Sequence, residues 1–505
     1  MTTPRAAAKY DCFAIAAPGL ETLVAHELTT LGVAAAKAVP GGVEFTADAA
    51  HLASVQLRTR TASRVIVRLA QFRATAFHEL ERAARQVEWG RVLPPGATFR
   101  MRVTCKKSRL YHSDAVAERV AAAIVRSVKG ATFEQGVQPD DDRDEPADVI
   151  GDLNPATKHA SLSAANAISK GVAKAVAKAV AKSVAKSSGP GPEPTGLPAQ
   201  LFVVRFDHDE CTISADASGD LLHRRGYRLA VGRAPLRETL AAAMLIGAEW
   251  DAATPLVDPM CGSGTIPIEA AMIARRIAPG LARPFAAERW PETPADAWPD
   301  ARLAAKREIL PKAPAAIVGV DRDEGAIANA LANAKRMGVL GDVEFRCAAL
   351  SALEVPDARV EAARSQAPGG SAPAGSAPAG APRGLLIANP PYGVRVGDSK
   401  PLRDLFARFG QVAREKCDGW RVAVLSADRA LDAQTKLPFT QVFATSNGGI
   451  AVRLVAADVG AARAGSARVG APKPGTPKRG ATKTSSVKSG AAKSRDPRTR
   501  TRTRD

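Results

Sequence analysis

Leu256-Val-Asp-Pro-Met-Cys-Gly-Ser-Gly-Thr-Ile266 runs from a short apolar strand, through an acid and a glycine turn, into the start of a helix. Glycines at 262 and 264 let the backbone turn tightly and approach a ligand closely. The third glycine of a G-x-G-x-x-G fingerprint is absent, because position 267 is Pro. With an acid ahead of the turn, a loop cradling a nucleoside with a short charged tail fits better than a pyrophosphate-binding loop. Taken alone, Gly-Ser-Gly between strand and helix also reads as a mere tight turn.

Outward from this loop, short apolar runs alternate with helical stretches, the pattern of a parallel sheet. Strands are expected at 256–258, 316–321, 343–346, 385–388, 421–425 and 450–455, and helices at 236–246, 266–276, 324–336 and 402–416. The spacing predicts an α/β, doubly wound Rossmann-like domain, whose ligands bind at the carboxyl ends of the strands. Chemistry is therefore expected just after Val257, Val320 and Ala388. The second strand ends in Asp321, an acid placed to accept two hydrogen bonds from a ribose diol. It lies 57 residues past Gly264, so the Pro- and Trp-containing stretch 278–298 reads as an insertion. Asp323 and Glu324 follow, which leaves a solvated acid at a helix start as the alternative for Asp321.

Directly after the fourth strand stands Asn389-Pro390-Pro391-Tyr392-Gly393. Two prolines at a strand end fix φ and remove two backbone donors, leaving carbonyls free to accept. The Asn389 and Pro390 carbonyls can both accept from one exocyclic amine, and Tyr392 offers a flat face to a purine. An amino group on a planar base suits such a site.

The 505 residues, 46% apolar and 24% charged, fit two or three globular domains, while 41 Gly, 36 Pro and 5% aromatic residues point to unstructured segments as well. No apolar run reaches the roughly 18 residues of a membrane span. The amino terminus reads as carrying no secretion signal. Six scattered cysteines without a CxxC pair argue against a disulfide framework and a zinc site, and suit a reducing cytoplasm. The net charge of +19 is concentrated: residues 461–505 carry +11 and residues 158–188 carry +6, leaving +2 for the remainder. Both segments read as low-complexity additions, either solvated linkers or salt-sensitive RNA attachments. Residues 365–383 read as a flexible loop. Upstream, 10–41 reads strand, helix, turn, and 43–218 alternates strands with helices around the Lys-rich insertion. There Arg100, Arg102, Lys106, Lys107 and Arg109 cluster with Tyr111, either as an RNA-capturing patch or as ordinary charges round a strand end.

The motifs around Asp258, Asp321 and Asn389 resemble those of class I S-adenosylmethionine-dependent methyltransferases that modify exocyclic amines. More narrowly, His223-Arg-Arg-Gly-Tyr-Arg228, Ala234-Pro-Leu-Arg-Glu-Thr-Leu-Ala-Ala-Ala243 and Ile266-Pro-Ile-Glu-Ala-Ala271 resemble the THUMP-domain RNA methyltransferases, especially those acting on guanine N2 of 23S rRNA. Ala17-Pro-Gly-Leu-Glu21, Gly41-Gly-Val-Glu-Phe45 and Arg60-Thr-Ala-Ser-Arg64 extend the likeness to the amino-terminal part. The resemblance implies a ferredoxin-like part at 1–41, a THUMP domain at 42–218 with an insertion at about 152–199, a methyltransferase domain at 219–456, and a basic tail at 457–505. It also implies S-adenosyl-L-methionine held by Asp258, Pro259, Cys261, Gly262, Gly264 and Thr265, with Asp321 on its ribose. Asn389, Pro390, Pro391 and Tyr392 become the catalytic turn, with a flipped guanine as substrate and no metal. The implied partner is 23S rRNA or a large-subunit precursor in the cytoplasm.

Two features depart from the family pattern. The basic tail stands where some members fuse a second methyltransferase domain. Cys347-Ala-Ala-Leu350 replaces the acid often found near the cofactor adenine, so adenine contacts must come from elsewhere. The alternatives are a tRNA guanine-N2 methyltransferase of the same architecture, a DNA adenine-N6 or protein glutamine-N5 methyltransferase, and a non-catalytic RNA-binding assembly factor. The THUMP-like block argues against the DNA and protein enzymes, and the intact loop and turn argue against the assembly factor.

Overall fold

Tyr10–Ile15 (β1) is buried at every position but Asp11, because strands cover both of its edges. In the computed structural model, which describes residues 9–134, 198–228, 236–356, 383–391 and 400–460, β1 lies inside an eight-stranded sheet. The other strands are Lys37–Val39 (β2), Gly42–Ala47 (β3), Arg64–Arg73 (β4), Thr98–Lys106 (β5), Thr132–Phe133 (β6), Gln200–Asp207 (β7) and Glu210–Asp216 (β8). Their order is β2-β3-β1-β4-β8-β7-β5-β6, so one sheet runs unbroken from the ferredoxin-like part into the THUMP part. A division at 41/42 falls within the β2–β3 hairpin of that sheet. Helices Glu21–Thr30 (α1), Ala49–Arg58 (α2), Phe77–Gln86 (α3) and Ser113–Ser127 (α4) connect these strands.

The second sheet has seven strands. They are Leu256–Asp258 (β9), Ile317–Asp321 (β10), Val343–Cys347 (β11), Leu385–Ala388 (β12), Arg421–Ser426 (β13), Thr440–Asn447 (β14) and Ile450–Asp458 (β15). The order is β11-β10-β9-β12-β13-β15-β14. Neighbouring strands from β11 to β13 pair in parallel, whereas β15 joins β13, and β14 joins β15, antiparallel. The expected doubly wound domain is thus a mixed, mainly parallel sheet. Its short apolar runs are what a strand covered on both faces requires.

Side-chain alternation sends each strand into two cores. Leu256, Ile317, Leu385, Ile387 and Leu425 meet helices Glu238–Gly247 (α5) and Thr265–Ala274 (α6), with Ala334 of Glu324–Met337 (α8). Val257, Val318, Val320, Leu386 and Val424 meet Phe406, Phe409 and Val412 of Lys400–Lys416 (α9) and Leu431 of Arg429–Gln434 (α10).

The stretch expected as an insertion before β10 joins the other sheet. Phe285, Trp290 and Trp298 belong to the amino-terminal core, and the Trp290 indole N–H donates to Gln200 Oε1 at 2.9 Å. Ala297–Arg307 (α7) continues it and packs on α2. The Lys-rich insertion at 152–197, the loop at 365–382, Tyr392 and the tail from 461 lie outside the described residues. Strand β15 continues to Asp458, two residues past the expected domain end at 456.

Candidate active site

Parallel pairing of β9 with β10 and of β9 with β12 places Asp258, Asp321 and Asn389 at three neighbouring strand ends on the same edge of the sheet. Chain order runs outward from β9 in one direction through β10 and β11, and in the other through β12 and β13. The crevice between β9 and β12 is therefore the topological switch point, where α/β sheets bind ligands.

The loop after β9 is held from three sides. Cys261 N–H donates to Val320 O at 2.9 Å, and Gly262 N–H donates to Asp321 Oδ2 at 2.9 Å. Asp321 Oδ1 accepts the Asp323 N–H at 3.0 Å, so this carboxylate staples the loop to β10 with one lone-pair direction used on each oxygen. On the far side Asn333, a polar residue on the buried face of α8, donates from Nδ2 to Ser263 O at 3.0 Å. At the base of α6 the Arg228 guanidinium donates to Thr265 Oγ1 and to Leu236 O, with Glu238 Oε1 at 3.5 Å. Burial, opposed by Arg228, pushes the Glu238 carboxyl up to about 7.

Gly264 sits at φ +83°, and a Cβ there would stand 2.9 Å from the Ala330 Cβ. Only glycine meets both demands. Gly262, at φ +52°, has no atom within 4 Å of the Cβ position, so its outer face opens on unfilled space. Asp258 is 1% exposed, and its Oδ1 accepts the Met260 N–H at 3.1 Å. Pro259 and Cys261 are buried, as is Thr265. Of the loop residues expected at the cofactor, only Gly262 is half-buried rather than buried; its loop neighbours Met260 and Ser263, which were not in that set, are half-buried too. Asp258, Pro259, Cys261, Gly264 and Thr265 are enclosed and set the loop's shape. Cys347, at the end of β11, is exposed.

Asn389 follows the fully buried β12. Its Oδ1 is shielded from solvent and has no hydrogen-bond partner among the described residues. A buried amide oxygen without a donor is costly, roughly 1–3 kcal/mol, and marks a place where a ligand donor can fit. Pro390 is buried and Pro391 exposed; Tyr392 lies outside the described residues. The open face over Gly262 and this orphaned acceptor, at adjacent strand ends, fit a nucleoside cofactor with a base amine beside it.

The expected RNA-contact residues divide. Arg102, in β5, is only 7% exposed, which leaves little of its side chain open to a partner. Arg100 is half-buried; Lys106 is half-buried, and Lys107 and Arg109 are exposed. Among the described residues, no group of acids, histidines and cysteines could hold a metal ion, and no helix is long and apolar enough to cross a membrane.

A glycine loop and an Asn-Pro-Pro turn at the switch point of this sheet are the arrangement of a class I methyltransferase domain, which uses S-adenosylmethionine. Three family models match parts of the chain: an RlmL ferredoxin-like domain at 11–66, a THUMP domain at 74–140, and an RMKL-like methyltransferase domain at 225–373 and 376–455. It is 30% identical over 421 residues to YpsC of Bacillus subtilis, provisionally named an RNA methyltransferase, covering 83% of this chain and 88% of that one. It is 31% identical over 457 residues to the ribosomal RNA large subunit methyltransferase K/L of Syntrophotalea carbinolica, covering 88% of this chain but 53% of that protein, so it spans about half of that relative. A crystal structure from Listeria monocytogenes, described as a predicted N6-adenine-specific DNA methylase, superposes with a TM-score of 0.66 at 29% identity, over 88% of this chain and 96% of that one. The chain belongs to the THUMP-containing, RlmL-like family of S-adenosylmethionine-dependent RNA methyltransferases.

Proposed function

We propose that the protein methylates the exocyclic N2 amine of a guanine in 23S ribosomal RNA, in the cytoplasm. The observation that carries the amine chemistry is the shielded Asn389 Oδ1 at the switch point, which has no hydrogen-bond partner among the described residues. The ribosomal target is supported by the name of the Syntrophotalea relative. The guanine N2 lone pair is delocalised into the ring, so the amine is a weak nucleophile. Asn389 Oδ1 and the Pro390 carbonyl accept its two hydrogens and turn the lone pair outward. Tyr392 stacks on the base. When bound, S-adenosylmethionine supplies an electrophilic methyl on sulfur, and the new nitrogen–carbon bond forms as the carbon–sulfur bond breaks. The surplus proton leaves to solvent. Gly262 and the free lone pairs of Asp321 hold the nucleoside, so the protein contributes alignment and electrostatics rather than a strong base.

The name of the Listeria relative favours a second reading, adenine N6 in DNA, since the same two acceptors serve that amine. The THUMP match weighs against it. A tRNA guanine keeps every residue role and changes only the partner.

Asn389→Ala is expected to cut methyl transfer by about a hundredfold or more while calorimetry finds cofactor affinity within a few-fold of wild type. Full retained transfer would remove Asn389 from the mechanism.

A further inference from the structure

The loop between β5 and α4 alternates sides. Lys107, Arg109 and Tyr111 are exposed, whereas Ser108 is half-buried and Leu110 is buried. The inward residues pin the segment: Leu110 enters the core, Ser108 Oγ donates to Lys106 O at 2.8 Å, and Asp209 N–H donates to Ser108 Oγ at 2.9 Å. Asp209 Oδ1 in turn accepts the Arg109 N–H at 2.7 Å, and His208 N–H donates to Lys106 O at 3.1 Å. Lys107, His208 and Asp209 all hold positive φ, a conformation that residues other than glycine adopt only when surroundings enforce it. The β7–β8 turn and this loop therefore form one rigid ledge.

What the ledge presents is unusual for a surface. Tyr111 is 67% exposed, the most exposed large hydrophobic side chain among the described residues. Its ring lies 4.0 Å from that of His112, tilted by 40°, and makes no other ring contact among the described residues. The acids of the adjoining turn already have partners: Asp207 pairs with Arg205 at 3.2 Å and His208 at 2.7 Å, and Asp209 with Arg73 at 3.9 Å. Lys107 and Arg109 pair with no acid among the described residues. A fixed, flat aromatic face next to two unpaired cations matches a nucleobase together with the phosphates on either side of it.

We propose that Tyr111 is a stacking platform for an unpaired nucleobase of the RNA, with Lys107 and Arg109 on the flanking phosphates. This rests on RNA being the partner. A base inside a duplex has no free face, so the ledge selects single-stranded or looped RNA.

The test measures binding of the full chain to a short fluorescein-labelled oligoadenylate and to a blunt RNA duplex across a salt series. Tyr111→Ala is expected to weaken oligoadenylate binding about tenfold without changing its salt slope. Tyr111→Phe is expected to bind like wild type, because stacking needs the ring and not the hydroxyl. Duplex binding should stay level, and Lys107→Ala with Arg109→Ala should flatten the salt slope by about one to two. Wild-type affinity in Tyr111→Ala, or loss in Tyr111→Phe as large as in Tyr111→Ala, would overturn the proposal. Wild-type protein that binds neither RNA would instead bring down the RNA reading, and the platform with it.

Discussion

At Asp258 burial prevails over hydrogen bonding. Desolvation, with Asp321 adding to it and the Met260 N–H opposing it, pushes the carboxyl up to about 8. An exposed aspartate titrates near about 3.9. The folded state therefore keeps a proton through the interval in which the unfolded chain has lost it. Since stability rises with pH only where the unfolded state holds more protons, this group's contribution is fully present below about 3.9 and falls away as pH climbs through about 8. Asp258→Asn, which cannot titrate, is expected to flatten that part of the urea midpoint's decline between mildly acidic and mildly alkaline buffer. An unchanged slope would show that Asp258 titrates as an ordinary surface acid. Asp258 and Asp321 were both legible in the sequence as acids at strand ends, but not the difference between them. Asp258 is enclosed, whereas Asp321 reaches across 59 residues to the Gly262 N–H, and no local pattern encodes such a contact.

Helix α6 begins at the glycine loop and ends against the amino-terminal part, and that second end is held by charge. Arg60, in the segment after α2, donates from Nη2 to Ile277 O at 2.7 Å and Met272 O at 3.4 Å, a cation at the negative end of the helix dipole. Glu27 of α1 accepts the Arg60 N–H at 2.6 Å, the Thr61 N–H at 3.1 Å and the Thr59 hydroxyl at 3.1 Å. Within α6 itself, fully buried Glu269 faces Arg225 at 3.5 Å and the Tyr227 hydroxyl at 3.4 Å. Burial draws the Arg60 guanidinium below its ordinary value, and Glu269 and Glu27 oppose that pull. Removing one member of such a network leaves buried charge uncompensated. Arg60→Met is therefore expected to destabilise by about 3–5 kcal/mol, read as a clear drop in urea midpoint. A midpoint equal to wild type would mean the network is not holding α6. The parallel strands were legible because each is a compact apolar run. β14 was not, since its outer half is exposed and carries no such run, and α7 was hidden by Pro299 and its charged residues.

The described residues join a sheet that includes the THUMP domain to a methyltransferase sheet, with 278–307 packed on the former. Its charge is placed elsewhere. Residues 461–505 hold +11 of the net +19, so counterion release from RNA should depend heavily on them. A chain ending at 460 is expected to show a shallower fall of RNA affinity with salt, with the two chains converging at high salt, and equal turnover on saturating RNA. Identical salt slopes would rule the tail out of RNA attachment. Fold class and family were readable because they rest on motifs at strand ends. The insertion's role as a bridge between sheets was not, because Phe285, Trp290 and Trp298 meet partners such as Tyr10 and Gln200 only in three dimensions.

The protein's proposed reaction is methyl transfer to a guanine amine in large-subunit RNA. Its most direct test supplies the purified chain with methyl-labelled S-adenosylmethionine and separate rRNA, tRNA and DNA, then digests each pool to nucleosides. Label recovered as N2-methylguanosine from 23S rRNA is the predicted result. Label recovered as N6-methyladenine from DNA would contradict the account.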